Sequence, residues 1–117
     1  MGTFSVTISV AGDDQSSEEL EALVDTSASN TVIPADLLQR LGLRPHRTSV
    51  FPLADGREVE MEIGRAWVRV DGQREFTQVA FGPEGSEPIL GAITLEEMNL
   101  SVDPVARRLV PVKRYLM

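Results

Sequence analysis

None of the 117 residues is cysteine and only His46 is histidine. Thiolate nucleophiles, disulfides and cysteine-type zinc sites are therefore excluded, and a serine–histidine arrangement has a single imidazole to draw on. Carboxylates and hydroxyls remain, and one stretch concentrates both. Ala22-Leu23-Val24 is apolar, Asp25-Thr26-Ser27-Ala28-Ser29 is small and mostly polar, and Thr31-Val32-Ile33 is again apolar and β-branched. An apolar strand thus delivers one aspartate into a tight loop that a second buried strand follows. A carboxylate held in that way can give or take a proton at a reacting bond. It can equally be a turn aspartate capping its own loop. On these residues alone both readings stand.

The elements that must position this loop follow from hydrophobic periodicity. Between Thr3 and Val10, Phe4, Val6, Ile8 and Val10 alternate with polar residues, which predicts a half-buried strand. Glu18–Val24 carries both a helical and a strand pattern, and the intervening turn residues favour a strand returning from the first. Thr31–Ile33 predicts a short buried strand. Pro34 suits the first position of a helix over 35–41 that Gly42 stops. Asp55-Gly56 and Asp71-Gly72 each sit between alternating runs, Ser49–Ala54 with Glu58–Ile63 and Ala66–Val70 with Arg74–Phe81, and each predicts a hairpin. Trp67, in one of these runs, reads as a core or interface residue. Pro88-Ile89-Leu90-Gly91 predicts a short buried strand and turn. Thr94 with Glu97 is a capping-box pattern for a second short helix ending at Met98. Val102 and Leu109–Val112 predict final strands around a turn at Asp103-Pro104. The expectation is one mostly-β domain spanning residues 1–117.

Leu23, Val24, Asp25, Thr26, Ala28, Ser29, Val32 and Ile33 match the signature of the retropepsin-like aspartic peptidases, which this sequence resembles. The later Pro88–Leu95 segment looks like that family's apolar-apolar-glycine element, and the order of the elements between agrees. The resemblance runs from about residue 3 to 112. It implies a small closed β-barrel of the retroviral protease type with one or two short helices. It also implies an aspartic endopeptidase in which two carboxylates share one proton and activate water, because like charges about 3 Å apart cannot both ionise. With one motif per chain, the pair requires a homodimer with Asp25 at the two-fold axis. Asp25 is then the catalytic residue. Thr26, Ser27, Ala28 and Ser29 support its loop, Thr26 through its hydroxyl across the axis. Ala54, Asp55 and Gly56 form a flap over bound peptide. Thr3–Val10 and Leu109–Leu116 are candidate dimer strands.

One position departs from the family: Ser27 stands where the motif has glycine. If the position needs φ > 0, serine strains the loop by about 1–3 kcal/mol; otherwise serine is tolerated and crowds the substrate backbone. The alternative function is therefore a weakly active or inactive peptide-binding or dimerisation module on the same fold, and a third reading makes Asp25 purely structural.

The formal net charge is −7, from 18 acidic and 11 basic residues. An acidic chain gains nothing from nucleic acid or an anionic membrane surface; the family resemblance implies a peptide or protein substrate and a second copy of the chain as partners. No cofactor or metal is expected. No apolar run reaches the ~18 residues of a membrane span, and no signal peptide is evident. The expected location is cytoplasmic.

Overall fold

The computed structural model describes residues 3–13 and 16–113. Among these described residues nine strands and two short helices follow in the order β1 (Phe4–Ala11), β2 (Ser17–Val24), β3 (Thr31–Pro34), α1 (Ala35–Arg40), β4 (Arg47–Pro52), β5 (Glu58–Val70), β6 (Gln73–Gly82), β7 (Ile89–Leu90), α2 (Ala92–Glu97), β8 (Leu100–Asp103) and β9 (Arg108–Pro111). Seven strands form one sheet in the order β1-β2-β7-β3-β6-β5-β4, and a further β1–β5 pairing closes it into a ring. The predicted mostly-β class with two short helices is what forms.

β1 and β2 pair antiparallel along their full length, Phe4 opposite Val24 and Ala11 opposite Ser17. Their alternation turns Ile8, Val10, Ala22 and Val24 into the core, which Ile33, Leu38, Val68, Val79 and Leu90 complete. α1 closes one side of this core through Leu37 and Leu38. Pro34 lies just outside α1 as its N-cap rather than at the first helical position. Its extended ψ of 134° continues β3 instead of opening the helix.

The two predicted hairpins share one strand. β5 runs unbroken for 13 residues, pairing first with β4 and then with β6. Its buried side changes at Gly64. Before it, Val59, Met61 and Ile63 are the covered positions; after it, Ala66, Val68 and Val70 are. A Cβ on Gly64 would lie 2.9 Å from the Phe81 ring and 3.0 Å from the Arg44 carbonyl oxygen, so only glycine lets the strand cross here. The second turn has φ of 49° at Asp71 and 80° at Gly72, the two positive values of a type I′ turn.

At the termini, β1 already uses its Ser9–Ala11 edge within the chain, against β5. β8 and β9 form a separate two-stranded sheet. The expected final strand Leu109–Val112 forms as β9, Arg108–Pro111, and residues 114–116 of the candidate dimer segment Leu109–Leu116 lie outside the described residues.

Candidate active site

The aspartate loop is built from both ends of the chain. β2 carries the backbone to Asp25, whose N–H donates to the Leu90 carbonyl at 3.1 Å, while Leu23 N–H donates to Pro88 at 2.9 Å. β7 thereby lies parallel to β2, and on its other side it meets β3 at Val32–Ile89. Ala28 N–H closes the loop on the Asp25 carbonyl at 3.2 Å.

The start of α2 completes the clamp. Ala92 N–H donates to Ala28 O at 2.8 Å and Ile93 N–H to Ser29 O at 3.0 Å. Amides in the first turn of a helix have no partner within it; here the loop carbonyls accept from them. This overturns the predicted Thr94–Glu97 capping box. α2 begins at Ala92, its N-cap is Gly91, three residues before Thr94, and no side chain caps it. Gly91 is also where the two segments touch: a Cβ would sit 2.5 Å from the Asn30 carbonyl carbon and oxygen.

Thr94 is buried and does something else. Thr31, Thr77 and Thr94 are all fully buried. Gly91 N–H donates to Thr31 Oγ1 at 3.1 Å, Thr31 and Thr94 share a bond of 2.6 Å, Thr94 and Thr77 one of 2.9 Å, and Thr77 donates to Glu97 Oε1 at 2.5 Å. An ionised Glu97 only accepts, so each hydroxyl in turn donates toward it, and the chain of bonds has one direction. This relay lies beneath the loop and was not foreseen. Its signal in the sequence is threonine at inward positions of strands, since a buried hydroxyl needs a partner.

Asp25 is half-buried, Thr26, Ser27 and Ser29 are exposed, and Ala28 is half-buried. Asp25 Oδ1 accepts from Ser27 N–H at 3.0 Å and from Ser27 Oγ–H at 2.5 Å. The self-capping turn is thus real, and it holds the carboxylate in place. Ser27 has a negative φ, since among the described residues Asp71, Asn99 and Arg107 are the non-glycine residues with positive values. The loop bears no strain from serine, and the hydroxyl binds the aspartate.

Ala54, Asp55 and Gly56 are exposed at the tip of the β4–β5 hairpin. The turn is wider than two residues: Leu53 N–H donates to Arg57 O and Gly56 N–H to Leu53 O. Gly56 takes φ of 89°. Asp55 accepts from Arg57 N–H at 3.0 Å and from Arg57 Nε at 2.6 Å. The Arg57 backbone amide first, and its guanidinium second, hold the Asp55 carboxyl below the ordinary aspartate range. At the base of the hairpin, Arg47 donates to Gln78 at 3.0 Å and Gln78 donates to Asn30 at 3.1 Å, tying the hairpin to the residue that follows the aspartate loop. Among the described residues no group of three or more His, Asp or Glu side chains is placed to hold a metal ion.

The family model for aspartyl protease matches residues 6–94, from β1 through the aspartate loop and the β4–β5 hairpin to the start of α2. The chain belongs to the aspartyl protease family. The chain is also similar to the solution structure of the simian foamy virus (mac) protease, with a TM-score of 0.58 and 19% identity over 80% of this chain and 92% of that one. At that identity the likeness concerns the fold, which is of the retroviral type. No curated protein matches.

Proposed function

We propose that the chain hydrolyses peptide bonds as a homodimer, each copy contributing Asp25. The observation that carries this reading is the clamp: the motif aspartate sits on a loop fixed from β7 and α2, with its carboxylate oriented by Ser27. Such fixing is what a paired-carboxylate reaction requires, because the acid and the base must be in place before charge develops. Within the pair, the ionised carboxylate takes a proton from water as the water oxygen attacks the peptide carbonyl carbon. The protonated partner gives its proton to the carbonyl oxygen. Collapse of the tetrahedral intermediate then returns a proton to the leaving amine. Thr26, exposed in the single chain, is positioned by resemblance to bond across the two-fold axis, and Ala54, Asp55 and Gly56 cover the substrate.

A second reading is a peptide-binding module without turnover. The observation favouring it is the Ser27 hydroxyl, which adds a second donor to Asp25 Oδ1. Incubating the purified dimer with a peptide library between about pH 3 and 7, the range spanned by carboxylate pairs, tests the first reading. Cleavage by the natural chain and none by Asp25→Asn supports it. No cleavage by a verified dimer would overturn it, and a strict monomer in sedimentation would do so too. A large gain of cleavage in Ser27→Gly would show that the hydroxyl suppresses turnover.

A further inference from the structure

The outer face of β5 and β6 carries a pattern that the hydrolytic site does not use. Along β5, Arg65, Trp67 and Arg69 point outward, and opposite them on β6 stand Gln78, Phe76 and Arg74. An aromatic row therefore lies between two rows that carry arginine, spaced about 6.6 Å apart along the strands. The Trp67 and Phe76 rings lie 5.1 Å apart. The Arg74 guanidinium stacks 3.9 Å from the Trp67 centroid, and Phe76 remains 40% exposed. Trp67 is thus neither core nor buried interface within the chain. Beside it opens a cavity of about 340 Å³ lined by Ser9, Ser17, Trp67, Arg69 and Arg74, with Asp13 also on its wall.

Arg69 and Arg74 are direct cross-strand partners. Like charges in that position repel, and the chain has carboxylates in excess with which to offset them. Yet among the described residues neither arginine makes an ion pair; those present use Arg40 and Arg57. Glu19 continues the same row beyond Ser9, about two strand spacings, roughly 9.6 Å, from Arg69. The cavity also lies at the other end of the β1–β2 hairpin from Asp25. Ser9 and Ser17 mark one end and Val24 the other, about 20 Å away at the rise of a strand.

We infer that this face is a second peptide site, which takes an extended acidic segment of a protein partner: carboxylates on Arg69 and Arg74, with Arg65 two rows on, and an apolar side chain on the Trp67–Phe76 row. The complementarity is of charge and of period, because alternate residues of an extended peptide repeat at the spacing of the rows. The site stands apart from the reading of Asp25, and its test uses the Asp25→Asn chain, in which binding and cleavage cannot be confused.

Trp67 is the only tryptophan, so its fluorescence reports the site directly. The probe is a tryptophan-free peptide alternating glutamate with alanine and one central leucine, titrated at low salt beside its all-glutamine counterpart. The glutamate peptide is expected to give a saturable change that added salt weakens, and the glutamine peptide none. Arg69→Gln with Arg74→Gln, both at exposed positions, should weaken binding by about tenfold or more. Equal responses to the two peptides, or none to either, would overturn the proposal. So would inorganic phosphate that saturates the same signal as tightly as the peptide, because the site would then take a small anion.

Discussion

The aspartate loop and the β4–β5 tip are held by opposite means. The aspartate loop is fastened by backbone bonds to Pro88, Leu90, Ala92 and Ile93 and underlaid by three buried threonines. The β4–β5 tip has one local clamp, Arg57 on Asp55, with both side chains at least half exposed; Val50 and Leu53 beside it are 52% and 42% exposed. Segments with few buried contacts open at low cost, and densely bonded ones open only with the whole fold. One molecule thus combines a fastened aspartate loop with a loosely held hairpin tip. The proposed hydrolysis would use both, since catalytic carboxylates must be pre-placed while a cover must let an extended chain in and out.

The comparison can be broken at its chemical centre first. Asp25→Asn keeps an oxygen acceptor for Ser27, so the melting curve should match the natural chain while cleavage falls by roughly 10²–10⁴-fold. A large drop in melting temperature instead would make Asp25 part of the architecture. Gly91→Ala attacks the fastening itself. Its Cβ meets backbone at 2.5 Å, and the overpacking should cost about 3 kcal/mol, read by chemical denaturation. An unchanged midpoint would mean that the loop and α2 are not locked together. Thr94→Val removes the central hydroxyl of the relay and leaves Thr31 and Thr77 short of a partner, a loss of about 2 kcal/mol. Thr94→Ser should restore most of it, and a valine chain as stable as the natural one would dismiss the relay.

At the β4–β5 tip the same kind of change should do little. Asp55→Asn is expected to lower the denaturation midpoint only slightly at neutral pH, because exposed ion pairs contribute little. Acid is what exposes the clamp. Asp55 titrates below the ordinary aspartate range, so its contribution is complete above the ordinary value near 3.9 and is lost as pH falls through the lowered one. The Arg57 amide resonance should shift in that acidic step and show no step in Asp55→Asn. A step centred at or above the ordinary value would mean that Arg57 does not hold the tip.

The contrast also divides what was legible in the sequence. Both Asp-Gly turns, the alternation of β1 and the Asp25 loop are local patterns, and local patterns survive folding when nothing competes. Gly91 was legible as part of a motif. The Thr94–Glu97 pair was misleading because a capping box competes with any better acceptor, and the carbonyls of Ala28 and Ser29 arrive from 64 residues earlier in the chain. The unbroken β5 was missed because its buried side changes at Gly64, which resembles a break in periodicity. Whether Ser27 needs a left-handed backbone was undecidable from residue type, and the negative φ follows from the loop's own bonds.

The fastening of the aspartate loop has a consequence in time. Asp25, Ala28, Ser29 and Thr31 also bond to residues 90–94, a closure between segments 63 positions apart at Thr31 and Thr94. Contacts of such separation form late, after shorter-range pairings such as the β5–β6 hairpin. During synthesis, therefore, the aspartate loop gains its fastening only once residues 90–94, at the end of the matched family region, have left the ribosome.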